Sequence, residues 1–317
     1  MNTQGSMLDS DSRIFVAGHR GMVGSAIVRR LEAFGFKNVI TAGRAELNLL
    51  DQKATQDFLA RERPDWTVVA AAKVGGIHAN NVHRADFLYE NLTIQTNLIH
   101  GAHSANLDRL LFLGSSCIYP RTCLQPIQED YLLTGPLEPT NEPYAIAKIA
   151  GIKLCEAYAS QYGRQYVSVM PTNLYGPNDN YDLVNSHVLP ALLRKAHEAK
   201  IGGSKEMVVW GSGRPRREFL HVDDLAAACV FLMERNYNGP LLNIGTGEDV
   251  TIAELAEKIA EVVGFEGTLS FDATKPDGTP RKLLDVSRMS KLGWRAGISL
   301  EDGLRSVYAA YQATLIA

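Results

Sequence analysis

A short apolar run, Arg13-Ile14-Phe15-Val16-Ala17, opens straight into Gly18-His19-Arg20-Gly21-Met22-Val23-Gly24 and then into an amphipathic stretch reaching about Phe34. Few local patterns leave a backbone less choice. Glycines three apart let the main chain approach a pyrophosphate and let the next helix pack close against the strand. The helix N-terminus adds N–H donors and the positive end of its dipole. An ordinary tight turn would also tolerate such glycines. The buried strand before them and the long helix after them favour the dinucleotide reading, and with it an α/β chain built on a doubly wound parallel sheet.

The alternation continues. Asn38-Val39-Ile40 reads as the second strand, Asp51 to Arg63 as a helix, and Trp66 to Ala72 as a buried strand ending at Lys73-Val74-Gly75-Gly76. Asp86 to Ala105 follows as a long helix and Leu110 to Leu113 as the next strand. An NAD-selective site usually places a carboxylate at the end of the second strand to bind the ribose 2′-hydroxyl. Thr41-Ala42-Gly43-Arg44 has none there; Arg44, with Arg20 in the glycine turn, offers two guanidiniums suited to a 2′-phosphate. NADP(H) is therefore the expected cofactor, against the plainer reading of two solvated surface charges.

Val167-Ser168-Val169-Met170 reads as a later strand, ending in Pro171-Thr172-Asn173-Leu174, after which Asn, Asp, Gly and Pro accumulate. That shift predicts a boundary. Residues 12–177 and 217–247 form a Rossmann domain that binds NADP, 178–216 and 248–317 a smaller α/β substrate domain, and 1–11 a disordered tail. Asp223-Asp224 precedes the apolar run Leu225 to Met233 and reads as helix capping rather than as a catalytic carboxylate pair. Thr251-Ile252-Ala253-Glu254 is a capping-box start.

Composition narrows the function. At 317 residues and 45% hydrophobic content the chain buries a sizeable core. A net charge of −3 with both signs dispersed gives no basic stripe, so neither nucleic acid nor an anionic membrane surface is expected as partner. No apolar run approaches the ~18 to 20 residues that span a bilayer, and the N-terminal residues lack the apolar segment of a signal peptide. Cys117, Cys123, Cys155 and Cys229 show no CxxC or metal-finger spacing and read as reduced thiols, so a cytoplasmic location is expected. His100 and His103 could share a helical face but read as solvated or locally hydrogen-bonded, and no metal is expected.

Tyr144-Ala145-Ile146-Ala147-Lys148 sets an ammonium one helical turn from a phenol, on one face. The cation is expected to favour the phenolate and lower the tyrosine pKa. Such a pair is common by chance. Its weight comes from the preceding strand, which ends in Gly114-Ser115-Ser116-Cys117, and from the glycine turn far upstream. Together these are what a nicotinamide-dependent sugar-nucleotide enzyme needs.

Gly18 to Gly24, Leu113 to Pro120, Asn141 to Lys148, Met170 to Pro177 and Lys275 to Lys282 resemble the GDP-L-fucose synthase family of extended short-chain dehydrogenases/reductases, from about Arg13 to the last helix. The resemblance implies an NADPH-dependent 3,5-epimerase and 4-reductase acting on GDP-4-keto-6-deoxy-D-mannose, and a homodimer. By this resemblance Cys117 is the base and His187 the acid of the inversions. Tyr144 protonates the C4 alkoxide, Lys148 lowers its pKa and holds the nicotinamide ribose, and Ser115 hydrogen-bonds the carbonyl, with Ser116 as runner-up.

Cofactor contacts fall to Gly18, His19, Arg20, Gly21, Met22, Val23, Gly24, Arg44, Leu113, Gly114, Ser115, Ser116, Lys148, Pro171, Thr172, Asn173, Leu174 and His187. Substrate contacts fall to Lys195, Trp210, Arg217, Asp277 and Lys282. Lys195 and Thr268 stand where the family pattern has arginine, which removes two fork-like donors from the grip on the guanosine diphosphate. The rival readings are a nucleotide-sugar 4-epimerase or dehydratase of the same fold, and a non-enzymatic NADP-binding regulator.

Overall fold

Ile14, Phe15 and Val16 have almost no exposed surface, which makes their strand an interior one, covered on both faces. The structure, a computed structural model, describes residues 8–183, 185–275 and 277–316. In chain order its first half runs β1 (Arg13–Ala17), α1 (Met22–Ala33), β2 (Asn38–Ile40), α2 (Gln52–Glu62), β3 (Trp66–Val69), α3 (Ile77–Val82), α4 (Arg84–Ser104), β4 (Arg109–Leu113), α5 (Glu142–Tyr162) and β5 (Gln165–Pro171). The second half runs β6 (Asn173–Tyr175), α6 (Val188–Ile201), β7 (Glu206–Trp210), β8 (Arg216–Arg217), β9 (Phe219–His221), α7 (Val222–Glu234), β10 (Leu242–Ile244), β11 (Val250–Thr251), α8 (Ile252–Val263), β12 (Thr268–Asp272), β13 (Arg281–Lys282), α9 (Ser287–Lys291) and α10 (Leu300–Ile316).

Six strands form one parallel sheet in the order β10-β5-β4-β3-β1-β2. The chain leaves β1 towards β2 and returns on the other side to β3, so the strand order reverses between β1 and β3. Ligands of open α/β sheets bind in the crevice that such a reversal opens at the carboxyl ends of the strands. Side chains along a strand alternate between faces. Ile14 and Val16 join α1 and α7 residues such as Ile27, Leu31, Leu225 and Val230 in one core. Phe15 and Ala17 join Leu98, Ile99, Ile149 and Ile152 of α4 and α5 in the other. A third core, with Leu189, Leu193, Met207, Leu255, Ile259 and Val307, belongs to α6, α8, α10 and the parallel pair β7–β12. Each such aliphatic side chain contributes about 1.5–3 kcal/mol by leaving water.

Local signals explain several ends. Asp51 caps α2 by accepting from Ala54 N–H at 2.9 Å, and Thr251 and Glu254 form the reciprocal box at the start of α8. At α7 the expected aspartate cap is replaced. His221 Nδ1 accepts from Asp223 N–H at 3.2 Å, because Asp223 is drawn to Arg29 (2.7 Å) and Asp224 accepts from Gly297 and Ile298 N–H. Of the expected tail, residues 1–7 lie outside the described residues; Ser10 and Asp11 are tied down, their carbonyls accepting from Lys37 N–H and from Asn38 Nδ2. All four cysteines are free thiols. Among the described residues no helix is long and apolar enough to cross a membrane, and no group of three His, Cys, Asp or Glu could hold a metal ion.

Candidate active site

At the first turn Gly18 has φ +87°, and a Cβ on Gly24 would stand 2.2 Å from Gly18 O. Only residues without side chains let β1, the turn and α1 approach this closely. Gly21 N–H closes the turn onto Gly18 O at 3.0 Å. A Cβ on Gly43 would lie 3.0 Å from Arg20 Nη2, so the Arg20 guanidinium rests against the loop after β2 at the residue preceding Arg44. Both arginines line the crevice. The carboxylate of this loop, Glu46, is held by Gly43 N–H at 2.6 Å and is not among the crevice-lining residues. A cradle lacking Cβ atoms and flanked by two guanidiniums fits a dinucleotide that carries an extra phosphate.

β4 delivers the next group. Gly114 N–H donates to Val169 O at 2.9 Å, and the space where its Cβ would stand is filled by the end of the Met170 side chain, 2.0 Å from Cε. The chain then makes a 3-10 turn over Ser116–Ile118 that buries Cys117 at 7% exposure. Helix α5 brings Tyr144 and Lys148 against it from the side. Lys148 is 4% exposed, donates from Nζ to Leu113 O at 2.8 Å, and sits 5.8 Å from the Tyr144 ring centre. Ser115 lies close enough to Cys117 and Tyr144 to favour the ionised form of each.

Electrostatics correct one expectation. Lys148 was expected to pull the Tyr144 pKa down, but burial, and then the neighbouring Cys117, push it well above the ordinary phenol value, opposed by Ser115. Burial likewise raises the Cys117 thiol, against the pull of Lys282, Ser115 and Lys148. Lys148 itself is brought down to about 8 by burial. Removing a charge from water outweighs neighbouring cations that are not in contact with it. At neutral pH, then, the phenol and the thiol both rest protonated and the ammonium keeps its charge.

Pro171, Thr172, Asn173 and Leu174 leave β5 along the same crevice, the Thr172 and Asn173 side chains donating to Glu218 O at 3.3 and 2.8 Å. His187 stands opposite, at the start of α6. It is open to the crevice, yet the surrounding protein and then Lys282 depress its imidazole pKa. On α6, Lys195 Nζ lies 4.5 Å from the Trp210 ring centre, and burial lowers the Arg217 guanidinium pKa. Asp277 accepts from Ser212 N–H (2.6 Å) and Oγ (2.8 Å), and Lys282 sits in β13 beside Arg217 in β8.

Every catalytic, cofactor and substrate residue expected from the sequence lines this single crevice of about 1650 Å³. Thr268 is not among them; it is exposed on β12 and bonds Lys205 O. The crevice also holds groups the sequence reading did not single out. Asp179 has its carboxyl pushed up to about 7 by burial, Lys275 lies 5.3 Å from the Trp210 ring centre, and Asn80 is 5% exposed. The only sequence signal for Asp179 was its place in the Asn-, Asp- and Gly-rich stretch after β6. His100 and His103 lie elsewhere, bonded to Tyr158 and to Arg164.

Comparisons with known proteins agree with this geometry. Residues 14–245 match the model of the NAD dependent epimerase/dehydratase family. GDP-L-fucose synthase 1 of Arabidopsis thaliana is 60% identical over 306 residues, 96% of this chain and 95% of that protein. GDP-L-fucose synthase of Escherichia coli (strain K12) is 60% identical over 308 residues, 94% of this chain and 96% of that protein. The crystal structure of a GDP-L-fucose synthetase from Naegleria fowleri bound to NADP superposes with a TM-score of 0.89 at 26% identity, covering 100% of this chain and 98% of that one.

Proposed function

The chain belongs to the NAD dependent epimerase/dehydratase family and, within it, to the GDP-L-fucose synthases, and we propose that it converts GDP-4-keto-6-deoxy-D-mannose to GDP-L-fucose by two inversions and one reduction. The observation that carries the reading is a thiol and an imidazole sharing one crevice with a Ser-Tyr-Lys set. A 4-keto group acidifies the hydrogens at C3 and C5, so inversion needs a base and an acid at those carbons. Cys117 must first give up its own proton, a step that burial opposes and Lys282 and Lys148 favour, before it takes one from the sugar as thiolate. His187, once protonated, returns one.

The family is NAD(P)-dependent; the finer assignment to NADPH is supported by Arg20 and Arg44 and by the exclusion of Glu46 from the crevice wall. Gly18 to Gly24 would hold the pyrophosphate, Arg20 and Arg44 the 2′-phosphate, and Lys148 the nicotinamide ribose. Bound NADPH supplies hydride for C4. Tyr144, protonated at rest, gives the C4 oxygen its proton, against a burial that raises its pKa and makes it a weaker acid, and Ser115 donates a hydrogen bond to the same oxygen. Lys195, Trp210, Arg217, Asp277 and Lys282 would bind the guanosine diphosphate.

A 4-epimerase or dehydratase has no need of Arg20 or Cys117, and a non-enzymatic regulator none of the Tyr144–Lys148 pair. Tyr89, Ile146 and Tyr162, exposed at 66, 43 and 52% on α4 and α5, support a homodimer through these helices. The test is NADPH oxidation with GDP-4-keto-6-deoxymannose, with the product identified by NMR. Cys117→Ser should lose inversion and Tyr144→Phe reduction; absence of NADPH oxidation by the unaltered protein would overturn the proposal.

A further inference from the structure

We propose that Gly76 is a positioning residue for the inversion, setting His187 through direct backbone contact between the loop after β3 and the turn that leads into α6; this rests on the reading of His187 as the acid. Gly76 N–H donates to Asn185 O at 2.7 Å. A Cβ on Gly76 would lie 2.6 Å from Ser186 O and 2.9 Å from Asn185 O. Yet Gly76 has φ −66°, which any residue adopts. Glycine is required here for approach and not for backbone freedom.

Both sides of the contact are braced. Asn80 donates from Nδ2 to Gly75 O (2.7 Å) and Gly76 O (3.0 Å). Asn91, 2% exposed, exchanges two hydrogen bonds with the backbone of Lys73 at 2.9 and 3.0 Å. On the other side, Asn185 N–H donates to Asp182 Oδ1 (2.7 Å) and Ser186 N–H to Asp182 O (3.0 Å). His187 follows immediately and its carbonyl accepts from Ala191 N–H at 3.2 Å, starting α6. The catalytic imidazole is therefore held between a helix of the small lobe and a turn pinned to the dinucleotide lobe.

A methyl group on residue 76 must push Ser186 away by several tenths of an ångström, and His187, the next residue, moves with it. Cys117, Tyr144, Lys148 and Ser115 come from β4 and α5 and have no part in this contact. Displacement of a reacting group by ~1 Å costs on the order of a hundredfold in rate. Gly76→Ala should therefore separate inversion from hydride transfer.

The experiment uses the full-length enzyme in two half-reactions. Inversion is read as deuterium wash-in at C3 and C5 of GDP-4-keto-6-deoxymannose, with NADP⁺ bound so that no reduction occurs. Hydride transfer is read in reverse, as single-turnover NADPH formation from GDP-L-fucose and NADP⁺, which needs no inversion. Gly76→Ala is expected to slow wash-in by about tenfold to a hundredfold and, because His187 is also among the expected cofactor contacts, to slow hydride transfer measurably but at least about fivefold less. Asn80→Ala, which unbraces the loop without a clash and stands in if Gly76→Ala does not fold, should act in the same direction more weakly. Proportional loss of both half-reactions, or no loss of either, overturns the proposal. An unaltered enzyme inert in both refutes the proposed function itself, which separates the two failures.

Discussion

Lys148 shows how burial sets chemistry at the scale of one residue. Its ammonium loses a proton at about 8, so the cation that supports Tyr144 is present below that pH and disappears above it. Hydride transfer should be level below pH 8 and fall as pH rises through about 8. In Lys148→Met it should be slow throughout and lack that descending limb; a limb that persisted in the variant would assign it to another group. Arg20 and Arg44 carry a second prediction. Losing a charge-assisted contact to phosphate costs about 1.5–3 kcal/mol, so Arg44→Ala should raise KM for NADPH by about tenfold or more and leave KM for NADH nearly unchanged. Equal effects on both cofactors would remove the 2′-phosphate assignment.

At the scale of elements, the helices that carry the site are packed through a glycine. A Cβ on Gly151 of α5 would lie 2.4 Å from Phe112 Cζ of β4 and 2.9 Å from Gln95 Oε1 of α4, while Gln95 Nε2 donates to Ala147 O. Alanine is the better helix former by about 1 kcal/mol, but overpacking a filled core costs about 1–3 kcal/mol. The clash wins. Gly151→Ala should lower the unfolding temperature by a few degrees and should disturb Lys148, one turn away; an unchanged or higher unfolding temperature would show that Phe112 can yield.

At the scale of the whole molecule, the division into residues 12–177 with 217–247 and 178–216 with 248–317 remains our proposal, and Glu218 stands at its seam. Its side chain has no exposed surface and accepts from Gly247 N–H at 2.8 Å and Leu284 N–H at 2.9 Å. Its carbonyl accepts from Thr172 and Asn173. An amide in its place turns one acceptor into a donor facing an N–H, leaving a buried group unpaired at about 1–3 kcal/mol. Glu218→Gln should reduce calorimetric stability by that amount, and an unaltered transition would deny Glu218 its role in joining the lobes.

Some of this was legible in the residues alone, because it is written in local periods. The glycine turn, the alternation of strand and helix, the capping box at Thr251 and the four-residue spacing of Tyr144 and Lys148 are short-range patterns, and a strand or a helix face needs only its neighbours to declare itself. The sequence by itself thus determined a dinucleotide-binding α/β chain and, through its resemblance to a family, nominated residues that line one crevice. The signs of the Tyr144 and Cys117 shifts, the replacement of Asp223 by His221 at the α7 cap, and the meeting of Gly76 with Asn185 were decided only in the folded chain. Desolvation depends on everything packed around a group, and hydrogen bonds between residues a hundred positions apart leave no periodic trace.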